Sequence, residues 1–340
     1  MNQEPKQIAR QSGLRYVTDQ QPGLTRKKSG RGFSYFDVNG ELIRDRSERD
    51  RIQKIVIPPA WEDVWICPFE DGHLQATGRD AKGRKQYRYH TDWQRIRNLA
   101  KFDRMIPFGE ALSDIRQQTN KHLKLEGLPR EKVLALVVRL LETTLIRVGN
   151  VAYARSNQSY GLTTLRTRHV TIEGHQVNFE FTGKSGVEHS IELADRRLTK
   201  IIKQCYEIPG YTVFQYFDDD GNKQQVDSGD VNDYLQHITG EDFTAKEFRT
   251  WAGTTLAAQE LTAMALRQAE APDSKQVTAA IKAVAKQLGN RPATCRKYYV
   301  HPRVPEIYLA GELVPLMQAT CETIKHLDPH ECAVLKLLTS

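Results

Sequence analysis

GNRPATCRKYYV, residues 289–300, sets two adjacent tyrosines among Arg291, Arg296 and Lys297, and it follows a run, SKQVTAAIKAVAKQL, with helical periodicity. A phenol with an ordinary pKa of about 10 attacks phosphorus poorly. Neighbouring cations lower the cost of its oxyanion and of the charge that gathers on a phosphodiester. By itself the stretch fits equally well a surface turn with packed tyrosines and solvated basic side chains. Its meaning therefore depends on what stands upstream.

Working outward, the preceding run is a helix with Gly289 and Asn290 suited to its C-terminal cap, and the tail beyond Pro302 is helical and apolar enough to dock. AKEFRTWAGTTLAAQELTAMALRQ, from residue 245, is a further helix. Residues 195–240 read as helix, loop and helix, with FDDDGNKQQ exposed in the loop. RHVTIEGHQVNFEFTGKSGVEHSIEL alternates through three short strands, with EGH and TGKSG as turns. Ahead of it, REKVLALVVRLLETTLIRVGN reads as a strongly apolar helix ending at Gly149, and the helical run after Trp93 breaks near Pro107.

Before Trp93 the pattern is different. FSYFDV, an Asn-Gly turn and ELIR suggest a hairpin, while Pro58 and Pro59 exclude a central strand at that point. In QYRYH an alternating strand points Tyr87 and Tyr89 to one face and Gln86, Arg88 and His90 to the other. Basic residues interleaved with aromatics and glycines suit duplex phosphates and base edges, although an edge hairpin with ordinary charged decoration reads the same way. Residues 1–30, ending in TRKKSGRG, are polar and read as an arm that is mobile until bound. The expected fold is α+β, with a small β-rich N-terminal domain, residues 1–92, and a larger mainly α domain, residues 93–340, that contains a short three-stranded antiparallel sheet.

Composition sets the outer limits. A chain of 340 residues has room for two domains of about 100–200 residues each. Lys plus Arg number 49 against 42 acidic residues, a net +7, which favours a polyanion as partner. Cys67, Cys205, Cys295, Cys321 and Cys332 are scattered without a CxxC pair, so neither a disulfide framework nor a zinc site is expected. No run approaches the roughly 18 apolar residues of a membrane span, and a reducing cytoplasm is the expected location.

Four cationic or phenolic pieces now stand in order: Arg147 in RVGN, Lys184 in GKSG, Arg249 in KEFRTWAGT and Tyr299. Singly, each has a plainer explanation. Arg147 suits a helix C-terminus, Lys184 a hairpin tip, and Arg249 an ion pair with Glu247 or Glu260. Together with GRDAKGRKQYRYH and YGLTTLRTRHV, the set resembles the type IB DNA topoisomerases of the small poxvirus and bacterial kind, over nearly the whole chain.

That resemblance implies a catalytic set of Arg147, Lys184, Arg249, Asn290 and Tyr299. Tyr299 is then the nucleophile that joins a 3′ phosphate, Arg147 and Arg249 hold the non-bridging oxygens, and Lys184 protonates the departing 5′ oxygen. Asn290 stands where many members carry histidine; an amide donates a hydrogen bond but moves no proton near neutrality. Arg84, Lys85, Gln86, Tyr87, Tyr89, Tyr153 and Lys246 match DNA-contacting positions. The implied enzyme is a bacterial, cytoplasmic, nucleoid-associated monomer that clamps duplex DNA and needs no cofactor, metal or ATP.

Two rivals differ in kind. Tyrosine recombinases use the same chemistry, but Lys246 here takes the place of the histidine in their His-x-x-Arg motif, and the β-rich N-terminal domain is not theirs. A non-catalytic DNA binder has no reason to carry the four residues together.

Overall fold

A computed structural model describes residues 5–30, 32–81, 83, 85–218, 220–267, 271–319 and 324–340. By its contacts the chain divides into two compact units, residues 1–101 and 102–340.

The first unit contains α1 (Pro5–Gln11), β1 (Leu24–Ser29), β2 (Gly32–Phe36), α2 (Arg46–Lys54), β3 (Glu62–Ile66), β4 (Leu74–Arg79), β5 (Lys85–Tyr89) and most of α3 (Thr91–Asp103). Its strands form one antiparallel sheet in the order β2-β1-β3-β4-β5. Leu24, Val64, Ile66 and Ala76 from the strands and Ile52 from α2 make its core.

Residues 24–29 are not part of the mobile arm expected from their charge, because β1 pairs on both sides. The reason is the placement of the cations. Leu24 is buried, and the Arg26 guanidinium donates to the carbonyls of Ile57, Pro58 and Trp61 while lying 4.1 Å from the Phe33 ring centroid. Charged stems thus cover apolar surface while their heads find acceptors.

ELIR is likewise not a strand. Only Leu42 bridges to Phe36, after a turn in which Asp37 Oδ1 accepts from the backbone of Asn39 and Glu41. Helix α2 behind it has no counterpart in the sequence reading; Asp45 caps it, accepting from Glu48 N at 2.7 Å.

The second unit is mainly helical: α4 (Met105–His122), α5 (Arg130–Thr144), α6 (Val151–Asn157), α7 (Arg196–Glu207), α8 (Ser228–Thr239), α9 (Ala245–Arg267), α10 (Ser274–Gln287), α11 (Pro292–Tyr298), α12 (Arg303–Leu309), α13 (Leu313–Gln318) and α14 (Pro329–Thr339). Between α6 and α7 lie β6 (Val170–Glu173), β7 (Gln176–Thr182) and β8 (Glu188–Ala194), a three-stranded antiparallel sheet as expected. Helix α5 lies mostly inside the bundle: Val133, Leu134, Leu136, Val137, Val138, Leu140 and Leu141 are fully buried, while Glu131, Arg139, Glu142 and Thr143 are not. Each such side chain contributes about 1.5–3 kcal/mol on leaving water.

Three details differ from expectation. Helix α5 stops at Thr144 rather than Gly149, because Leu145 turns left-handed with φ +56°. The helical run after Trp93 breaks at Arg104, so that Pro107 sits in the first turn of α4, where its missing N–H costs nothing. FDDDGNKQQ is not wholly loop: β9 (Gln215–Phe217) and β10 (Lys223–Gln225) pair as a hairpin around it.

The C-terminal helix is fixed by charge as well as by apolar packing. Arg116 on α4 meets Glu142 on α5 at 2.5 Å and Glu331 on α14 at 2.6 Å, and Trp251 Nε1 on α9 donates to Glu331 at 3.1 Å. Burial raises the Glu331 carboxyl and Arg116 pulls it back below its ordinary range.

Candidate active site

Three chain segments converge on Tyr299, and each is held by a local device. The segment after α5 is pinned by two backbone bonds: Leu162 N donates to Arg147 O at 2.8 Å and Thr163 N to Val148 O at 2.7 Å. The approach is so close that a Cβ on Gly161 would overlap Arg147 O, and Gly149 adopts φ +102°. Only glycine suits both positions. Arg147 is thereby held half-buried, with its guanidinium donating to Asn290 Oδ1.

Asn290 is delivered by the end of α10. Gly289, at φ +58°, follows the cap residue Leu288; its N–H reaches Lys286 O and the Asn290 N–H reaches Ala285 O at 2.8 Å. That is a Schellman ending, and its glycine is the one the sequence offers.

Arg249 lies one turn into α9 and is 4% exposed. Its guanidinium donates to Leu145 O and, at 2.6 Å, to Leu288 O. These are the carbonyls at the ends of α5 and α10, so one cation satisfies the negative ends of two helices. Burial and the Arg147 charge lower its pKa to about 10, which leaves it charged at neutral pH. Its Nε and Asn290 Nδ2 are both buried and meet no acceptor among the described residues.

Tyr299 closes α11, half-buried, with its ring centroid 5.3 Å from Arg249 Cζ. One turn beyond Arg249, α9 presents Gly253 and Thr254 to the tyrosine's backbone. A Cβ on Gly253 would stand 2.5 Å from Tyr299 O, and Thr254 Oγ1 lies 3.3 Å from the same carbonyl. Helix α9 therefore sets both the guanidinium and the seat of the ring's backbone, since residues four apart share a face. Burial pushes the phenol up, but Arg249 and then Arg147 attract its oxyanion more strongly, and the net pKa falls below the usual tyrosine value.

Of the five residues expected to act together, Arg147, Arg249, Asn290 and Tyr299 form one cluster. Lys184 is exposed in the turn between β7 and β8, with Gly183 N closing on Val187 O at 2.7 Å. It makes no hydrogen bond or ion pair with a described residue. Sequence reasoning missed His189 on β8, whose ring stacks on Phe181 with centroids 4.9 Å apart and lies against both Gly183 and Gly289. Its one signal is a place five residues beyond Lys184.

The expected DNA contacts are spread over both units. Lys246 is exposed on the first turn of α9, and Tyr153 is half-buried on α6, where Asn150 caps its N–H at 2.9 Å. In the first unit Tyr87 and Tyr89 share a face, stacked with centroids 5.9 Å apart, and Tyr87 is 47% exposed. Tyr89 also packs against the small cluster of Ala9, Leu14 and Trp93. Lys85 is paired with Asp19, and Gln86 donates to Asp80 at 3.0 Å. Arg84 lies outside the described residues.

Comparison with known proteins agrees with this architecture. Residues 90–307 match the family described as eukaryotic DNA topoisomerase I, catalytic core. Residues 32–80 match the bacterial DNA topoisomerase IB N-terminal domain. The DNA topoisomerase 1B of Acanthamoeba polyphaga mimivirus is 32% identical over 295 residues, 84% of this chain and 87% of the viral protein. That of vaccinia virus (strain Copenhagen) is 28% identical over 167 residues, 48% of this chain and 53% of its own length. The chain belongs to the type IB DNA topoisomerase family, isomerases whose substrate is DNA.

Proposed function

We propose that this enzyme relaxes supercoiled duplex DNA by cutting one strand through Tyr299, with neither metal nor ATP. The Tyr299 oxygen attacks a backbone phosphorus; the Oη–P bond forms, the P–O5′ bond breaks, and the 3′ end stays on the enzyme. The phenolic proton goes to solvent, and the departing 5′ oxygen takes a proton from Lys184. Rotation of the free strand and the reverse attack complete the cycle. The adduct retains the phosphodiester energy, so no external source is required.

The observation that carries this reading is the pairing of a phenol drawn toward ionisation with buried donors that meet no acceptor among the described residues, Arg249 Nε and Asn290 Nδ2. Together with the Arg147 guanidinium beside them, they suit the non-bridging oxygens of a phosphate, and preorganised donors of this kind act most strongly where charge develops. Lys246, Tyr153, Arg84, Lys85, Gln86, Tyr87 and Tyr89 then contact the duplex. With roughly six to ten phosphates neutralised, binding weakens steeply with salt. The enzyme acts as a monomer on the chromosome in the cytoplasm.

Relaxation of a negatively supercoiled plasmid, with EDTA present and ATP absent, tests the reading. Wild type relaxes it and Tyr299→Phe does not while still retarding the DNA. A requirement for magnesium, or relaxation by Tyr299→Phe, refutes it.

A further inference from the structure

Lys184 has a positional problem. It is exposed on the five-residue turn 183–187 between β7 and β8, and nothing among the described residues holds its side chain. A proton donor must nevertheless arrive within hydrogen-bond reach of one oxygen.

The restraint available is on the backbone of that turn. His189 lies flat on Phe181, with an interplanar angle of 14°. A Cβ built on Gly183, the residue before Lys184, would stand 2.6 Å from His189 Cδ2 and Nε2, with nothing else nearer than 3.5 Å. A Cβ built on Gly289, the residue before Asn290, would overlap His189 Cε1. One imidazole thus fills the space between two glycine backbones, one belonging to the lysine turn and the other to the α10 ending that carries Asn290. Neither glycine could be any other residue without displacing the ring.

We propose that His189 is a positioning residue that docks the Lys184 turn onto the Gly289–Asn290 turn. The proposal rests on the reading of Lys184 as proton donor to the 5′ oxygen. Electrostatics support the geometry. Burial, then Arg147 and Arg249, push the His189 pKa below its ordinary value against the smaller pull of Glu188, which favours an uncharged ring beside the guanidiniums.

The consequence is specific. Removing the spacer weakens the step that needs Lys184 and leaves the arginine and tyrosine chemistry in place. A leaving group that requires no proton should therefore conceal the defect.

The test compares single-turnover cleavage, by full-length enzyme, of one mapped duplex carrying either the natural 5′ oxygen or a 5′ sulfur at the scissile linkage. Lys184→Ala is the reference, with a loss of about 10²–10⁴-fold on oxygen that sulfur restores. His189→Ala is expected to lose about tenfold or more on oxygen and to be restored on sulfur in the same way. Gly183→Ala, whose backbone angles any residue tolerates, should reproduce that pattern by displacing the ring, and in the His189→Ala background it should add no further loss.

Equal losses on both substrates, or no loss, for His189→Ala and Gly183→Ala overturn the proposal while a restored Lys184→Ala leaves the proton-donor reading standing. An unrestored Lys184→Ala removes that reading and the proposal with it. If His189→Ala does not fold, Gly183→Ala decides alone.

Discussion

The centroid of the Tyr299 ring lies 5.3 Å from the guanidinium carbon of Arg249. Arg249 is at the same time tied to the last carbonyls of α5 and α10, so the cation beside the phenol is part of the helical framework. It has little freedom to leave.

The first prediction concerns ionisation. In an absorbance titration taken as wild type minus Tyr299→Phe, Tyr299 ionises below the usual tyrosine value of about 10. Replacing Arg249 by Gln removes the strongest attraction and leaves the burial that opposes it, so the midpoint moves upward. The sign for stability follows. An acid with a lowered folded pKa contributes above its unfolded value, and that contribution is lost as pH falls through the folded value. The same lowering enlarges the ionised fraction of the phenol, the form that attacks, at pH values below the ordinary tyrosine range. An unchanged midpoint in Arg249→Gln would show that the arginine does not govern the phenol.

A second prediction separates helix stability from catalysis. Alanine inside a helix is ordinarily better than glycine by up to about 1 kcal/mol. At Gly253 the new Cβ meets Tyr299 O at 2.5 Å and Tyr299 Cβ at 3.0 Å. Gly253→Ala is expected to displace the ring and to slow strand cleavage by something on the order of a hundredfold, with DNA affinity within a few-fold of wild type. Cleavage kinetics at saturating enzyme measure it; an unaffected rate would mean that the seat on α9 does not position the tyrosine.

The clasp of Arg116, Glu142 and Glu331 gives a third expectation, on stability alone. Glu331→Ala leaves Trp251 Nε1 and part of the Arg116 guanidinium buried without their acceptor. The cost is about 3 kcal/mol, as for other broken buried pairs, seen as a lowered thermal midpoint. Cleavage per folded molecule at low temperature should not change. A midpoint unmoved from wild type would mean that apolar packing alone holds α14.

Much of the fold and site is legible in the sequence. The period-two stretch that forms β6 to β8 and the apolar run that forms α5 show through spacing, and Gly289 marks the end of α10. Arg147, Arg249, Asn290 and Tyr299 stand out from their motifs and lie together in the fold. What does not show is what depends on distant partners. TRKKS reads as a solvated tail because its value as a strand lies in Phe33 and three carbonyls elsewhere in the chain. The end of α5 falls before Gly149, since Leu145 turns left-handed where nothing in its own side chain requires it. His189 escapes notice because alternation along β8 says only which face it occupies, whereas its neighbours, Gly183 and Gly289, are set by topology.

The central claim is that fixed positive side chains make the Tyr299 phenol a reversible nucleophile toward phosphorus. The most direct measurement is transfer of label from a duplex radiolabelled on the 3′-phosphate side of the cut to the protein, in EDTA, followed by denaturing electrophoresis and mapping of the labelled peptide. The account predicts a labelled band with wild type, its label on Tyr299, and none with Tyr299→Phe. Label on another residue, or a band that forms only when magnesium is supplied, would contradict it.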